Sequence, residues 1–221
     1  MKSIIITLVA VLTMTGCSGI TKNSSMNTLP DTLQMGHNLL IRDTLKLVVY
    51  PTLTQEQRSD LAQHTSLDVP DNTQFIGERS VQDGISLAAY KVPTGEDPNI
   101  FKVYLVTRGK DNAVVEVLDL GDFHTSEHQG PMRFGGNRFY TTDASVTFDD
   151  KGRFTVRHVM TLTSLYLKDH TLTELWRVEW DDHYEIDSKG SFVFKGQQET
   201  HRSPADLDDP FVEEHKSRYQ P

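Results

Sequence analysis

The stretch that most limits what this chain can fold into runs from residue 145 to residue 181. Ser145–Asp149, the turn Asp150-Lys151-Gly152 and Arg153–Leu167 read as a hairpin whose second arm alternates: Phe154, Val156, His158, Met160 and Leu162 on one side, Arg153, Thr155, Arg157, Thr161 and Thr163 on the other, toward water. Successive side chains of a strand point to opposite faces, so a sustained period of two describes a sheet with one buried face. Leu172–Asp181 repeats the pattern, with Trp176, Val178 and Trp180 facing one way and Arg177, Glu179 and Asp181 the other. Glu179 and Arg157 are placed to pair across neighbouring strands, a modest contribution.

The same texture extends upstream. KLVVY (Lys46–Tyr50), stopped by Pro51, reads as the first strand; QFIGERSV, ISLAAYKV, IFKVYLV and AVVEVLDL follow, each short and bounded by turn residues, and SFVFKGQ closes the series. Between the first two runs, Thr54 can cap a short helix, TQEQRSDLAQH, with Gln57 completing a capping box; it has few apolar residues and belongs on the surface. Asp149–Phe154 and Asp187–Phe192 match as D-x-K-G-x-F, with a further turn near Asp111. Shared hairpin chemistry, with glycine at a positive-φ position, accounts for the echo more simply than a structural repeat. These features predict a mainly β fold, an antiparallel meander, sandwich or open barrel of about 9–11 strands with one short surface helix.

The N-terminus has a different character. Lys2 is followed by an uncharged apolar run from Ile4 to Met14, then Thr15, Gly16 and Cys17, the layout of a secretory leader. The run is shorter than the roughly 20 residues a spanning helix needs. Met14-Thr15-Gly16-Cys17 resembles the lipobox of bacterial lipoproteins: a Leu-like residue, a small residue, Gly or Ala, then Cys, with Met here in the Leu-like place. That resemblance, confined to the first 17 residues, implies cleavage before Cys17, a diacylglyceryl thioether on its thiol and acylation, as by palmitate, of the new amine. Ser18 stands where the family's inner-membrane retention signal, an Asp, would stand, which implies the outer membrane. One acyl chain binds a bilayer marginally, whereas two or three anchor stably. The competing readings are an ordinary secreted protein whose Cys17 happens to lie near the cleavage site and a cytosolic chain with an apolar start.

Removing residues 1–16 takes away one charge, Lys2, and moves the formal net charge from −9 to −10. An acidic chain without clustered Lys or Arg is a poor ligand for nucleic acid or an anionic membrane surface. Cys17 is the only cysteine, so no disulfide can form within the chain and stability must come from the core. The expected organisation is a cleaved leader over residues 1–16, a lipidated tether over 17–44, one β-rich domain over 45–198 and a polar tail over 199–221. The tether is assigned because SGITKNSSMNTLPDT is rich in Ser, Thr and Asn. The tail is either loose or an edge wrap in which Phe211 and Val212 tuck onto the sheet, with the loose form favoured.

The most pointed chemical motif is His124-Thr125-Ser126-Glu127-His128, which matches the H-x-x-E-H string of inverzincin peptidases. That resemblance implies zinc held by His124 and His128 with Glu127 as general base, and it requires a helix, because only a helical turn brings both imidazoles to one metal. Here the string is flanked by Gly121-Asp122 and Gln129-Gly130-Pro131, loop and hairpin punctuation that favours an exposed polar loop. His158 on an apolar strand face reads as a hydrogen-bonded core histidine. Asp181, Asp182, Glu185 and Asp187 concentrate oxygen atoms that calcium would accept, but Lys189 occupies a ligand position of the EF-hand string, and solvated turn acids are the simpler account. Trp176, Trp180, Tyr166 and Tyr184 could form a sugar- or peptide-binding platform; their alternation favours core.

No nucleophile elbow, phosphate loop or dinucleotide fingerprint is present in the sequence. The expectation is therefore a lipid-anchored envelope protein with a non-enzymatic β-rich binding or accessory domain, no cofactor, and a protein or glycan partner. A zinc-dependent hydrolase using His124, Glu127 and His128 is the alternative, and an inhibitor or immunity protein the third reading.

Overall fold

A computed structural model describes residues 28–35, 50–64, 68–82, 84–93, 101–123, 125–128, 136–149, 151–166 and 171–218. In chain order the elements are β1 (Thr32–Met35), α1 (Gln55–His64), β2 (Gln74–Gln82), β3 (Ile85–Pro93), β4 (Phe101–Arg108), β5 (Val114–Phe123), β6 (Thr125–His128), β7 (Gly136–Phe148), β8 (Arg153–Tyr166), β9 (Thr171–Ile186), β10 (Phe192–Ser203) and α2 (Pro210–Ser217). They build two antiparallel sheets: β2-β3-β4-β5, and β1-β7-β8-β9-β10 with β6 also on β7. β1 takes Ala144–Thr147 and β6 takes Arg138–Thr141, so the two short strands share one edge of β7 end to end. The chain is thus mainly β, as its alternation predicts, in two open sheets rather than a closed barrel.

The sheets stack face to face. Ile85, Leu87, Val103 and Leu105 of the smaller sheet meet Val146, Phe148, Phe154, Val156, Tyr184 and Ile186 of the larger one, all buried in one cluster. β3 is buried on both faces because α1 covers its other side, where Leu53 and Leu61 pack on Ala88, Tyr90, Tyr104 and Val106. The predicted capping box forms: Gln57 N donates to Thr54 Oγ1 at 3.2 Å, and Thr54 N to Gln57 Oε1 at 2.9 Å. One buried leucine, Leu61, suffices to dock the helix, and the Arg108–Asp60 pair at 3.1 Å ties it to the sheet.

Three hairpins share one loop geometry. Asp149 N bonds Arg153 O, Asp187 N bonds Ser191 O and Gly109 N bonds Ala113 O, each at 2.9 Å. In the first two, the aspartate Oδ1 accepts from the backbone two and four residues on, at 2.8–2.9 Å. The fourth position has positive φ in all three, 72° at Gly152, 91° at Gly190 and 64° at Asn112. The D-x-K-G-x-F echo is therefore turn chemistry, and the β4–β5 hairpin uses the same loop with Gly109 and Asn112 in the corresponding places. A Cβ on Gly152 would stand 2.8 Å from Val81 Cγ1, so only glycine lets the turn close on β2.

Three expectations are corrected. The assigned tether, residues 17–44, contains β1: Leu29 and Leu33 are each 2 % exposed in the sandwich core. Thr28 bridges Glu78 of the smaller sheet while Thr32–Met35 pair with β7 of the larger, so this segment stitches the sheets together. Its polar composition conceals two leucines that fill sites created by strands more than 40 residues away. The polar tail from 199 is also ordered through Arg218, because β10 runs on to Ser203 and α2 follows, capped by Asp209 Oδ1 accepting from Phe211 N. Of the two forms weighed, the wrap is the one found: Val212 is fully buried, while Phe211 stays 42 % exposed against the Tyr140 ring. Finally, Thr161 and Thr163, expected in water, are buried, since alternation separates two faces without saying which is covered. The predicted strand at 46–49 lies outside the described residues.

Candidate functional site

The residues singled out by motif do not converge. Cys17 and His124 lie outside the described residues. Glu127 and His128 belong to β6, paired with Phe139 and Arg138 of β7. An extended backbone rises about 3.3 Å per residue, so residues 125–128 lack the helical turn on which the zinc-peptidase geometry depends; the helix-dependent reading of His124, Glu127 and His128 is overturned at that point. The acidic run is divided by strand parity: Asp182 is fully buried, Asp181 and Glu185 lie on the opposite face, and Asp187 is engaged in its turn. Among the described residues, no group of three or more His, Cys, Asp or Glu side chains could hold a metal ion. Trp176, Trp180 and Tyr184 are buried, which is the core reading; the side chain of Tyr166 lies outside the description.

The notable cluster is one that motif reading misses. β8 and β9 are long, and their inner face continues past the smaller sheet, where α2 covers it: Met160, Leu162, Trp176, Val178, Trp180 and Val212 form a separate apolar cluster. At the seam between that cluster and the sandwich core sits Asp182, fully buried, with His158 at 3 % exposure. His158 Nε2 stands 3.0 Å from Asp182 Oδ2, and the imidazole stacks on Trp180 with centroids 4.9 Å apart and planes 9° off parallel. His158 is thus a partnered core histidine. His215 of α2, also buried, meets the same indole edge-on at 6.0 Å.

Gln197 of β10 joins the pieces. Its Nε2 donates to Asp182 Oδ1 at 2.8 Å and to the Lys216 carbonyl at 3.3 Å. A polar chain therefore runs from β8 through β9 and β10 into the last turn of α2. Two of its buried atoms, Asp182 Oδ2 and the Trp180 indole nitrogen, lack aligned hydrogen bonds, although His158 Nε2 stands close to the former. Burial first, and then the Asp182 charge, push the Tyr184 hydroxyl pKa up, which keeps that phenol neutral.

The rim is ionic. Glu199 accepts from both Arg202 and Lys216, with Arg202 Nη2 at 2.6 Å and Lys216 Nζ at 2.8 Å, and Arg202 also reaches Glu213 at 2.7 Å. The hydrogen bond from Arg202, opposed by partial burial and reinforced by Lys216, holds the Glu199 carboxyl down at about 2. A histidine oriented by a carboxylate is half of a proton-transfer device, but it must reach the proton it moves. Here both groups are sealed, so in this conformation they tie α2 to the sheet.

A cleft of about 100 Å³ opens at the other end of the sandwich between Arg79, Val81, Phe148, Gly152, Arg153 and Ile186. Its cations are committed: Arg79 bonds Asp31 at 3.1 Å and lies over the Phe148 ring at 5.2 Å, and Arg153 pairs with Asp149 at 2.7 Å. On the outer face of the larger sheet, Glu179 bonds both Arg157 and Arg177, the predicted cross-strand pair with one further partner. The signal that could have found the cluster under α2 is parity: Asp182 follows Trp176, Val178 and Trp180 at even spacing, an aspartate on an apolar face. No family model, curated protein or solved structure matches the chain.

Proposed function

We propose that this protein is a lipid-anchored lipoprotein of a bacterial cell envelope, sited at the outer membrane, whose β-sandwich acts as a non-enzymatic binding or accessory domain toward a protein or glycan partner. The observation that carries this reading is Met14-Thr15-Gly16-Cys17 at the end of an uninterrupted apolar run. Cys17 carries the lipid, and the acidic domain stays in the aqueous phase beside the bilayer. Two features support the binding class. The histidine–aspartate pair is sealed and knitted into the scaffold, and the charged side chains lining the cleft are paired within the chain. No helix among the described residues is long and apolar enough to cross a membrane, a condition that a lipid anchor satisfies.

The test is labelling of the full chain expressed in a bacterial host. Wild-type protein takes up labelled palmitate and sediments with membranes, and Cys17→Ala does neither. Uptake and sedimentation that persist in Cys17→Ala would refute the anchor. Stoichiometric zinc in the purified mature protein would restore the hydrolase class by a geometry other than the helix.

A further inference from the structure

Two concavities meet at the β7–β8 hairpin. The cleft between the sheets has Arg79 and Arg153 in its lining together with Leu87, Phe148, Phe154 and Ile186. Those four apolar residues are buried, whereas the Arg153 side chain is 60 % exposed, so they form the floor and the guanidinium groups the mouth. At about 100 Å³ the cleft is well below the roughly 300–1,000 Å³ that encloses a whole ligand, so it suits one small group of a larger one. A groove of about 530 Å³ adjoins it and shares Phe148, Asp149, Arg153 and Phe154 with it. Thr147, Thr155 and His183 of that groove stand in one row across β7, β8 and β9, on the face opposite to buried Phe154 and Tyr184. The row continues to Gly196 of β10, which adds no side chain. From Thr147 on β7 to Lys195 on β10 the groove crosses three strand spacings. At ~4.8 Å each that is about 14 Å, the length of about four residues of extended chain.

The two guanidinium groups are held in place but not used up. Arg79 gives Nη1 to Asp31 and lies over the Phe148 ring, and Arg153 gives Nε and Nη2 to Asp149. Arg79 Nη2 and Arg153 Nη1 are thereby left without a hydrogen-bond partner among the described residues. Asp149 Oδ1 meanwhile accepts from Lys151 N and Arg153 N, so this carboxylate orients Arg153 while sharing its charge with the turn. Fixed guanidinium donors above an apolar floor match a carboxylate that carries a small apolar group. Along the groove, His183 Nδ1 stands 3.1 Å from Thr155 Oγ1, and Lys195 pairs with Glu185 at 3.1 Å. That mixture of donors and acceptors suits the amide groups of a peptide backbone, whereas an alkyl chain would gain nothing there. We infer that the β7–β8 hairpin end is a peptide-binding site. It takes the C-terminal carboxylate of a partner protein between Arg79 and Arg153, a last side chain no larger than valine in the cleft, and the preceding residues along the outer groove. This rests on the reading of the chain as a binding domain and takes its protein partner over the glycan.

The test is equilibrium dialysis of the full chain in detergent micelles against three probes with a radiolabelled acetyl group: acetyl-Gly-Ser-Gly-Val, its C-terminal amide, and acetyl-valine. The free acid is expected to bind about tenfold or more tightly than the amide, the difference that a hydrogen bond to a charged group makes. It should also bind severalfold more tightly than acetyl-valine, which has the carboxylate and the side chain but no further backbone. Arg153→Gln and Arg79→Gln should each erase most of the advantage of acid over amide and leave the amide unchanged. Arg153 is largely exposed, so its variant keeps the fold and carries the test alone if Arg79→Gln shifts the urea midpoint. Equal binding of acid and amide, or retention of none of the probes, overturns the site. Acetyl-valine bound as tightly as the tetrapeptide overturns the peptide class in favour of a free small carboxylic acid. These outcomes leave the anchor standing, and palmitate labelling of the same preparation reads the anchor separately.

Discussion

The inner face of the larger sheet is covered twice, in two different ways. Along the first part of β8, Phe154 and Val156 are covered by a whole sheet, whose Leu87, Leu105 and Val103 interlock with them. Further along the same strand and face, Met160 and Leu162 are covered by an eight-residue helix that contributes one fully buried apolar side chain, Val212. The alternation in the sequence is identical on both sides of His158. What differs is the cover: extensive apolar interdigitation at one end, and at the other a small apolar plug with an ionic rim and a polar chain at the seam. Stability scales with apolar area removed from water, while exposed ion pairs add little. The two ends should therefore respond differently to damage, with the sandwich failing globally and the α2 end opening locally.

The largest effect is expected in the sandwich. Leu105 is fully buried between the sheets, and Leu105→Ala should cost about 2–5 kcal/mol, the range for a leucine cavity that closes only in part. Urea denaturation followed by tryptophan fluorescence and by far-UV circular dichroism should show one shifted, coincident transition. Separate transitions by the two probes would show that the indoles beneath α2 do not share the sandwich's cooperative unit, and would sharpen the contrast further. Next comes the seam. Asp182→Ala removes the acceptor of half-buried Gln197 and the partner of buried His158, a penalty of about 1–3 kcal/mol for groups left unsatisfied. The same variant should loosen α2, because Gln197 loses one of the bonds that align it to the Lys216 carbonyl. Equal hydrogen-exchange protection of α2 in variant and wild type would break the proposed continuity of the chain.

Val212→Asp probes the α2 end alone. A buried charge in an intact core is severely destabilising, but here the helix can undock, so the loss is capped at the docking free energy. Hydrogen exchange should rise over residues 210–217 and over the strand segments beneath them, and remain slow in β3 and β4. Global unfolding in that variant would abolish the distinction between the two ends.

How much of this was legible in the sequence follows the same contrast. The period of two in β8 and β9, the Thr54/Gln57 capping box and the D-x-K-G-x-F turns are local, and each forms as the residues predict. Leu29 and Leu33 were hidden because their burial depends on where β7 comes to lie, and no local pattern in TLPDTL carries that information. α2 was hidden for a related reason: with Val212 and His215 its only buried residues, eight residues give too short a run for a helical period to register. The loop expected for His124-Thr125-Ser126-Glu127-His128 gives way to strand β6 over residues 125–128, since turn residues flanking a short string do not carry the long-range pairing with β7. The Asp182 cluster was partly visible, as a charged residue in phase with tryptophans, but its partner Gln197 reaches that face only after the register shift between Phe194 and Gly196.

The smallest expected effect is the one that best isolates the ionic rim. Glu199 titrates at about 2 in the folded protein, chiefly through the Arg202 hydrogen bond and then through Lys216, against an ordinary value of 4.5. Because the folded value is the lower one, the rim's contribution is complete above the unfolded value and is lost as pH falls from about 4.5 toward 2. Glu199 is partly solvated, so the contribution belongs with surface pairs, at or below about 1 kcal/mol, and should shrink with added salt. Protection of α2 amides should therefore decline over that interval in wild type, with Glu199→Gln already at the acid-side level and flat across it. Since Arg202 also holds Glu213 and the Leu207 carbonyl, the helix should remain seated in that variant at neutral pH. A Glu199→Gln protein that releases α2 at neutral pH would mean that the rim, and not Val212, holds this end of the sheet covered.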